Sequence, residues 1–232
     1  MGNLSIKREN DRIFRNGTFP DMRSETVFDL PELPEIVRSV PFRVSENTVR
    51  ENTIKSVLNC AGEGKVIALN FANAMYPGGG YIVGGNAQEE SLCRASLLYY
   101  TIRTQKGFYR RNRFHILPDY TDVMIFSEKV PVIRDDMGVL LEKSVQCSFI
   151  TCPAVNRTFA RFMMTGKRID CIMRTRIKRI ITLALIKEPD VIVLGAFGCG
   201  AFGNKREKVL PVFEEIINTL VPDNIKVIFA IP

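Results

Sequence analysis

One histidine, His115, serves the whole 232-residue chain. Any Cys–His or Ser–His nucleophilic pair would have to rest on it. It sits in the polar stretch RRNRFHILPD, where a lone histidine is most often a solvated residue. The six cysteines, Cys60, Cys93, Cys147, Cys152, Cys171 and Cys199, are scattered and form no Cys-x-x-Cys pair. A zinc site is therefore not expected, and no metal or cofactor is assigned. Most of these thiols fall in apolar or helical patterns, as small buried hydrophobes do in a reducing compartment. No apolar run approaches the ~20 residues of a membrane span. The N-terminal MGNLSIKRENDRIFRNG has no hydrophobic core of the signal-peptide kind. A cytoplasmic protein without membrane contact is the expectation. Internal repeats, low-complexity tracts and linkers are also lacking, so nothing in the chain marks a domain division.

What is present is enough for one globular unit: 46% hydrophobic and 25% charged residues, at a length that buries a substantial core. The net charge of +7 favours a polyanionic partner. Its basic residues are spread out except in RTQKGFYRRNR, residues 103–113. That cluster reads either as a solvated helix end and loop or as a surface for phosphate-rich polymers.

The apolar patterning alternates between periods. A short helix is predicted in NDRIFRNG, an early strand in SVPFRV, and an amphipathic helix in TVRENTIKSVLNCAGEG with Ile54, Val57 and Leu58 on one face. KVIALNFA is a continuous apolar strand. QEESLCRASLLYYTIR reads as one helix opening with acids in its first turn. DVMIF, VPVIR and QCSFITC follow as strands, and IDCIMRTRIKRIITLALI as a long helix. Strand VIVLG, helix NKREKVLPVFEEIINTL and strand KVIFAI complete the chain. Buried-type strands alternating with helices predict a three-layer α/β fold with a mixed sheet, and sites in such sheets gather beyond the strands' carboxyl ends.

Two glycine-rich loops occupy such positions. GAFGCGAFGNK, residues 195–205, contains G-x-G-x-x-G at Gly198, Gly200 and Gly203. A Rossmann reading fails because only 29 residues follow Gly203, too few for a second half-sheet. A Walker A reading fails because Asn204 stands where lysine is required. The shared physics survives: glycine backbone N–H groups and a following helix start suit a diphosphate, and the alternative is a tight strand-to-helix turn. Phe197 and Phe202 flank these glycines, either as rings for a ribose or base or as core plugs. The other loop, NFANAMYPGGGYIVGGNAQEESLCRAS, leads from KVIALNFA into a helix beginning at Gln88, Glu89 and Glu90. Adjacent helical residues point ~100° apart, so the two glutamates cannot face each other as a glycosidase carboxylate pair. One can act while the other binds, although a helix-start glutamate is also simply favourable beside the macrodipole.

Gly78-Gly79-Gly80 followed after seven residues by Gln88-Glu89-Glu90 resembles the signature of poly(ADP-ribose) glycohydrolases, and the flanks NFANA and LCRAS resemble the bacterial-type branch. ITCPAVN (150–156) and GAFGCGAFGN are similar to further segments of that branch. The likeness runs in order from about residue 50 to the C-terminus, and more loosely before it. It implies an α/β/α macrodomain over 38–232 with an N-terminal helical extension, 1–37, packed on it. It further implies hydrolysis of ribose–ribose bonds in poly(ADP-ribose), mainly from chain termini, releasing ADP-ribose without metal or cofactor. The resemblance assigns Glu90 as the catalytic glutamate and Glu89 as its neighbour on ribose hydroxyls. It places Gly78, Gly79 and Gly80 in the catalytic loop, Gln88 among the substrate-binding residues and Asn73 beside the distal ribose. Gly198, Cys199, Gly200, Ala201 and Phe202 fall in the diphosphate loop, with the Phe202 ring on the distal ADP-ribose, and Asn156 joins the substrate-binding set. Phe197, Cys152 and Val155 depart from the usual residues, which bears on adenine-side affinity more than on catalysis.

The mechanism expected is that Glu90 gives a proton to the leaving ribose oxygen and then, as carboxylate, activates water. Expected partners are poly(ADP-ribose) or ADP-ribosylated proteins, with no specific nucleic acid, and the chain is expected to be a monomer. A hydrolase of mono-ADP-ribosyl adducts and a non-catalytic ADP-ribose reader are the alternatives. Glu89 and Glu90 argue against the reader, which needs no acid there.

Overall fold

The computed structural model describes residues 2–232. Helix α1 (Asn3–Asn16) and strand β1 (Arg23–Val27) precede a short strand β2 (Thr48–Val49) and helix α2 (Thr53–Asn59). Strand β3 (Val66–Phe71) is followed by α3 (Gln88–Ala95), α4 (Leu98–Ile102) and α5 (Lys106–Phe114). The long pair β4 (Met124–Arg134) and β5 (Leu140–Cys152) leads to α6 (Arg157–Ala160) and α7 (Gly166–Ile186). Strand β6 (Val191–Leu194), helix α8 (Arg206–Leu220) and β7 (Lys226–Ala230) close the chain. No helix among the described residues is long and apolar enough to cross a membrane.

The seven strands form one mixed sheet in the order β1-β4-β5-β3-β6-β7-β2. β5, β3, β6, β7 and β2 run parallel; at one edge β4 pairs antiparallel with β5 and β1 antiparallel with β4, so only β4 runs against the rest. Both faces are covered. Along β3, Ile67 and Leu69 point into the core beneath α7 and α8. Val66 and Ala68 point the other way, into the core beneath the helices α2 to α5. That is the period-2 alternation of a strand buried on both sides, and it sets the direction of Asn70, which continues the Val66–Ala68 row.

Four expectations are corrected. The first 37 residues supply an edge strand as well as a helix: β1 pairs antiparallel with β4 from Arg23↔Glu128 to Val27↔Met124. SVPFRV is not a strand. The Phe42 and Val44 N–H groups are taken by Asn218 Oδ1 (2.7 Å) and Glu214 Oε2 (2.8 Å) on α8, and Pro41 has no N–H to offer a ladder. DVMIF and VPVIR join into the single strand β4, whose register shifts between Ser127 and Val130 accommodate the intervening residues as a bulge. QEESLCRASLLYYTIR breaks at Ser96, which is extended and bridges Val132. The Ser96 hydroxyl donates to Leu92 C=O (2.7 Å) and accepts from Leu98 N–H (3.2 Å), ending one helix and starting the next.

Two buried arginines brace the site's surroundings. Arg134 on β4 holds α1 through Glu9 (2.7 Å) and Asn10 (3.0 Å). Arg176 on α7 donates to Pro153 C=O and Asp119 C=O (2.9 Å each) and to Asp122, fixing the chain just beyond β5. Arg176 makes five hydrogen bonds and Arg134 three, each including a carboxylate, which is what makes burial of the charge tolerable.

Candidate active site

The carboxyl ends of β5, β3 and β6 lie side by side, so the loops 153–156, 72–87 and 195–205 meet at one edge of the sheet. The loop after β3 is closed by Gln88. Its carbonyl accepts from Phe71 N–H (2.9 Å), and its amide donates to Leu69 C=O (2.9 Å) and Thr53 Oγ1 (3.2 Å). Gln88 thus continues the hydrogen bonding of β3 past its end and docks the start of α3 there. Its polar groups are engaged within the fold, while its side chain also lines the cavity between the two glycine-rich loops.

Glu89 and Glu90 then enter different surroundings. Glu89 is 3% exposed. Its Oε2 accepts from the Asn73 backbone N–H at 2.7 Å and its Oε1 from Asn70 Nδ2 at 3.2 Å. Burial pushes its pKa up to about 8, against the downward pull of those two hydrogen bonds and with a smaller upward push from Glu90. Glu90 has one oxygen, Oε1, tied to the Gly80 backbone N–H at 2.8 Å. Its other oxygen, Oε2, has no partner. Both carboxyl groups are buried, but Glu89 has both oxygens hydrogen-bonded while Glu90 keeps one buried oxygen without a partner.

The glycines are explained by these carboxylates. Gly79 has φ +54°, and a Cβ there would stand 2.6 Å from Glu90 Oε1 and 3.2 Å from Glu89 Oε2. The loop wraps the glutamates closely. Arg94, one turn along α3, secures the far end of the loop through the Gly85 C=O, Asn86 Oδ1 (2.6 Å) and Ser91 Oγ (2.9 Å). Asn73 turns its side-chain carbonyl back onto Met75 and Tyr76 N–H (2.9 Å each), an Asx turn that fixes the backbone N–H serving Glu89.

The second loop has a different character. Gly198 has φ +72° and packs on Ala154, with a Cβ 2.5 Å from the alanine methyl, whereas a Cβ on Gly200 would meet nothing within 4 Å. Asn204 is buried and staples the loop, donating to Val155 C=O (2.8 Å) and Gly198 C=O (3.2 Å) while accepting from Arg157 Nε (3.2 Å). Cys199 to Phe202 are left partly or fully exposed just ahead of α8. Burial raises the Cys199 thiol to about 11, so it is a neutral thiol and no nucleophile. Asn156 lies across from this loop, its N–H on Pro118 C=O (3.0 Å) and its buried Oδ1 without a partner. Between the two loops a cavity of ≈ 530 Å³ runs over the ends of β3, β6 and β7, lined among others by Phe71, Gln88, Ala196, Gly200 and Ile231. It stops short of the glutamates and adjoins them through Gln88. Among the described residues no cluster of three or more His, Cys, Asp or Glu side chains could hold a metal ion.

A family model described as microbial-type PARG, catalytic domain, matches residues 7–135, more than half of the chain. The chain belongs to the microbial-type poly(ADP-ribose) glycohydrolase family. The glycohydrolase of Thermomonospora curvata bound to the inhibitor ADP-HPD is similar over 99% of this chain and 92% of its own, with TM-score 0.80 and 28% identity. The Deinococcus radiodurans glycohydrolase in complex with ADP-ribose is similar over 82% of this chain and 79% of its own, with TM-score 0.69 and 34% identity. No curated protein sequence matches the chain.

Within this glycohydrolase family member, the residues expected at the site separate into two groups. Glu89, Glu90, Asn73 and Gly78 to Gly80 form one connected hydrogen-bonded unit. Asn156 and residues 198–202 form the facing wall, joined by Asn204 and by Thr158 N–H on Phe202 C=O (3.3 Å). Phe202 is half-buried, 6.1 Å from the Tyr120 ring. Phe197 is fully buried against Phe71, a core plug. His115 pairs with Asp119 at 2.6 Å and with no nucleophile. Asn70, Arg94 and Asn204 had not been singled out. An asparagine inside the apolar run KVIALNFA was the one available signal, since a buried amide needs a partner.

Proposed function

We propose that this chain hydrolyses the ribose–ribose O-glycosidic bonds of poly(ADP-ribose) and releases ADP-ribose, with Glu90 as its single acid/base. The observation that carries the reading is the free Glu90 Oε2 beside a Glu90 Oε1 pinned by Gly80. A carboxyl group with one oxygen fixed and the other buried without a partner has an unused site for a proton or a substrate oxygen, as proton transfer requires. Glu90 protonates the leaving ribose oxygen as the C–O bond breaks with oxocarbenium character. As carboxylate it then takes a proton from the water that attacks the sugar carbon, and is restored.

Glu89 has both oxygens engaged by Asn70 and the Asn73 N–H and does not share that task. We assign it to holding Asn73 and Asn70, and through them the glycine loop, in place of the direct ribose contact that the family resemblance implies. The exposed backbone of Cys199 to Phe202 and the start of α8 suit the diphosphate, whose negative charge near the cleaved sugar favours the developing positive charge. The Asn156 amide and the Phe202 ring bound the same space on the distal-ribose side. Asn3 and Ile6 of α1 line the cavity together with Met137. A wall at that end supports cleavage from chain termini, because a polymer cannot run on through it.

The test is incubation with poly(ADP-ribose) and, in parallel, with a mono-ADP-ribosylated protein, with chromatographic detection of free ADP-ribose. Release from the polymer supports the reading. Release only from the mono-modified protein, or binding without release from either, contradicts it.

A further inference from the structure

The sheet order fixes which way a polymeric substrate must leave. The cavity lies over β7, β6 and β3, and Glu90 stands in the first turn of α3, the helix reached from the end of β3. The next strand in that direction is β5, whose end passes through Asn156 into α6. If one ADP-ribose unit fills the site, the rest of the chain emerges over α6 and the turn after it.

That surface is unusual for this molecule. Phe159, Phe162 and Met163 are 63%, 75% and 58% exposed within five residues. The Arg161 guanidinium lies 4.8 Å over the Phe162 ring and is in none of the ion pairs among the described residues. The neighbouring segment, tied in by the Asn156 N–H to Pro118 C=O bond, adds Phe114 and Ile116, 79% and 91% exposed. Scattered exposed apolar residues need no explanation, but a cluster of this size beside a site does. By contrast, Arg103 and Arg111 of the basic 103–113 stretch lie over the chain's own rings, Arg103 on Phe14, Tyr99 and Tyr100, and Arg111 on Phe28. Arg161 is backed by a ring whose other surroundings are open.

We propose that Phe159, Phe162 and Met163 with Arg161 form a platform for the next ADP-ribose unit of the polymer, on the leaving-group side of Glu90. This rests on the function proposed above. An adenine offers a flat π-face to the rings and a diphosphate offers charge to the guanidinium, the pairing by which aromatic and basic surfaces hold flexible nucleotide polymers. The platform is latched to the diphosphate loop by Thr158 N–H on Phe202 C=O and by Arg157 on Asn204, so a unit docked there is held in register with the bond to be cut.

The experiment compares wild type, Phe162→Ala and the Arg161→Ala/Phe162→Ala double variant. Each is assayed on long poly(ADP-ribose) and on a small substrate in which one ADP-ribose carries an aryl leaving group, with ADP-ribose affinity measured by calorimetry. Stacking on one ring is worth about a tenfold change in affinity. The expected result is therefore a KM for polymer raised about tenfold in the single variant and further in the double, with KM for the aryl substrate and ADP-ribose affinity unchanged. An unchanged polymer KM, or equal losses on both substrates, would overturn the platform while leaving the proposed function intact. If wild type neither cleaves polymer nor binds ADP-ribose, the function itself fails and the platform with it. Sedimentation of wild type and the double variant covers the remaining occupant: a dimer lost in the variant would make this face a self-association surface and overturn the proposal.

Discussion

Glu89 and Glu90 are consecutive residues in one helical turn, and the fold treats them oppositely. Glu89 points to the β3 side, where Asn70 and the Asn73 backbone meet both of its oxygens in a nearly solvent-free pocket. Glu90 points toward the glycine loop, which binds one oxygen and leaves the other unengaged. Identical side chains one residue apart thus become a fully hydrogen-bonded strut and a carboxyl with one unpartnered oxygen, the proposed acid/base. The difference comes from the ~100° step of the helix and from which backbone N–H groups the preceding loop supplies. Tyr109 sharpens the point, since its hydroxyl is buried on the Glu89 side with no partner and its pKa is raised chiefly by burial and then by Glu89. That side of the helix is shaped for packing.

The comparison breaks most readily at Glu90. Glu90→Gln keeps the shape and the Gly80 contact but cannot cycle a proton, so kcat on poly(ADP-ribose) is expected to fall by about 10²–10⁴-fold, read as ADP-ribose released per minute. Gly79→Ala comes next. A side chain at φ +54° costs about 1–2 kcal/mol and collides with Glu90 Oε1. Turnover should fall at least about tenfold, corresponding to ~1.4 kcal/mol in the barrier, and the melting temperature by roughly 2–8 °C.

Glu89→Gln tests the strut through pH. The wild-type Glu89 pKa is raised in the folded protein from an ordinary 4.5 to about 8, so between those values the folded state binds a proton that the unfolded state releases. Its contribution to stability is full below pH 4.5 and is lost as pH rises through 8. Wild-type melting temperature should therefore decline from about pH 5 to about pH 8 relative to Glu89→Gln, whose neutral amide has no such dependence. Parallel curves would remove the buried-strut account. The smallest effect is expected at Phe202, where Phe202→Ala should weaken ADP-ribose binding by about fivefold to tenfold, the loss of one aromatic contact of ~1 kcal/mol. Calorimetry reads the affinity, and kcat should change less than the affinity does.

Much of this was legible in the residues. The β3 run, the long α7 and the strand-loop-helix setting of both glycine loops follow from hydrophobic period and punctuation, because burial on both faces of a parallel sheet leaves an unbroken apolar run. The Gly-Gly-Gly to Gln-Glu-Glu spacing pointed to a loop that the fold wraps around Glu89 and Glu90. What the residues could not carry were interactions between distant segments. β1 reads as a polar stretch, RSETV, because an antiparallel edge strand needs one apolar face at most. SVPFRV looks like a strand because its backbone donors go to α8 side chains about 170 residues away. Nothing local shows that Gln88 also caps β3. The tightness of Gly79 around Glu90 is likewise visible only once the loop has closed.

The central claim is that Glu90 does the chemistry while leaving binding to its neighbours. Its most direct test is one preparation of Glu90→Gln examined in two ways, by single-turnover hydrolysis of poly(ADP-ribose) and by calorimetric titration with ADP-ribose. The account predicts that hydrolysis is lost by at least about a hundredfold while ADP-ribose affinity stays within about threefold of wild type, a difference below ~1 kcal/mol. Near-wild-type hydrolysis, or loss of affinity in step with loss of turnover, would contradict it.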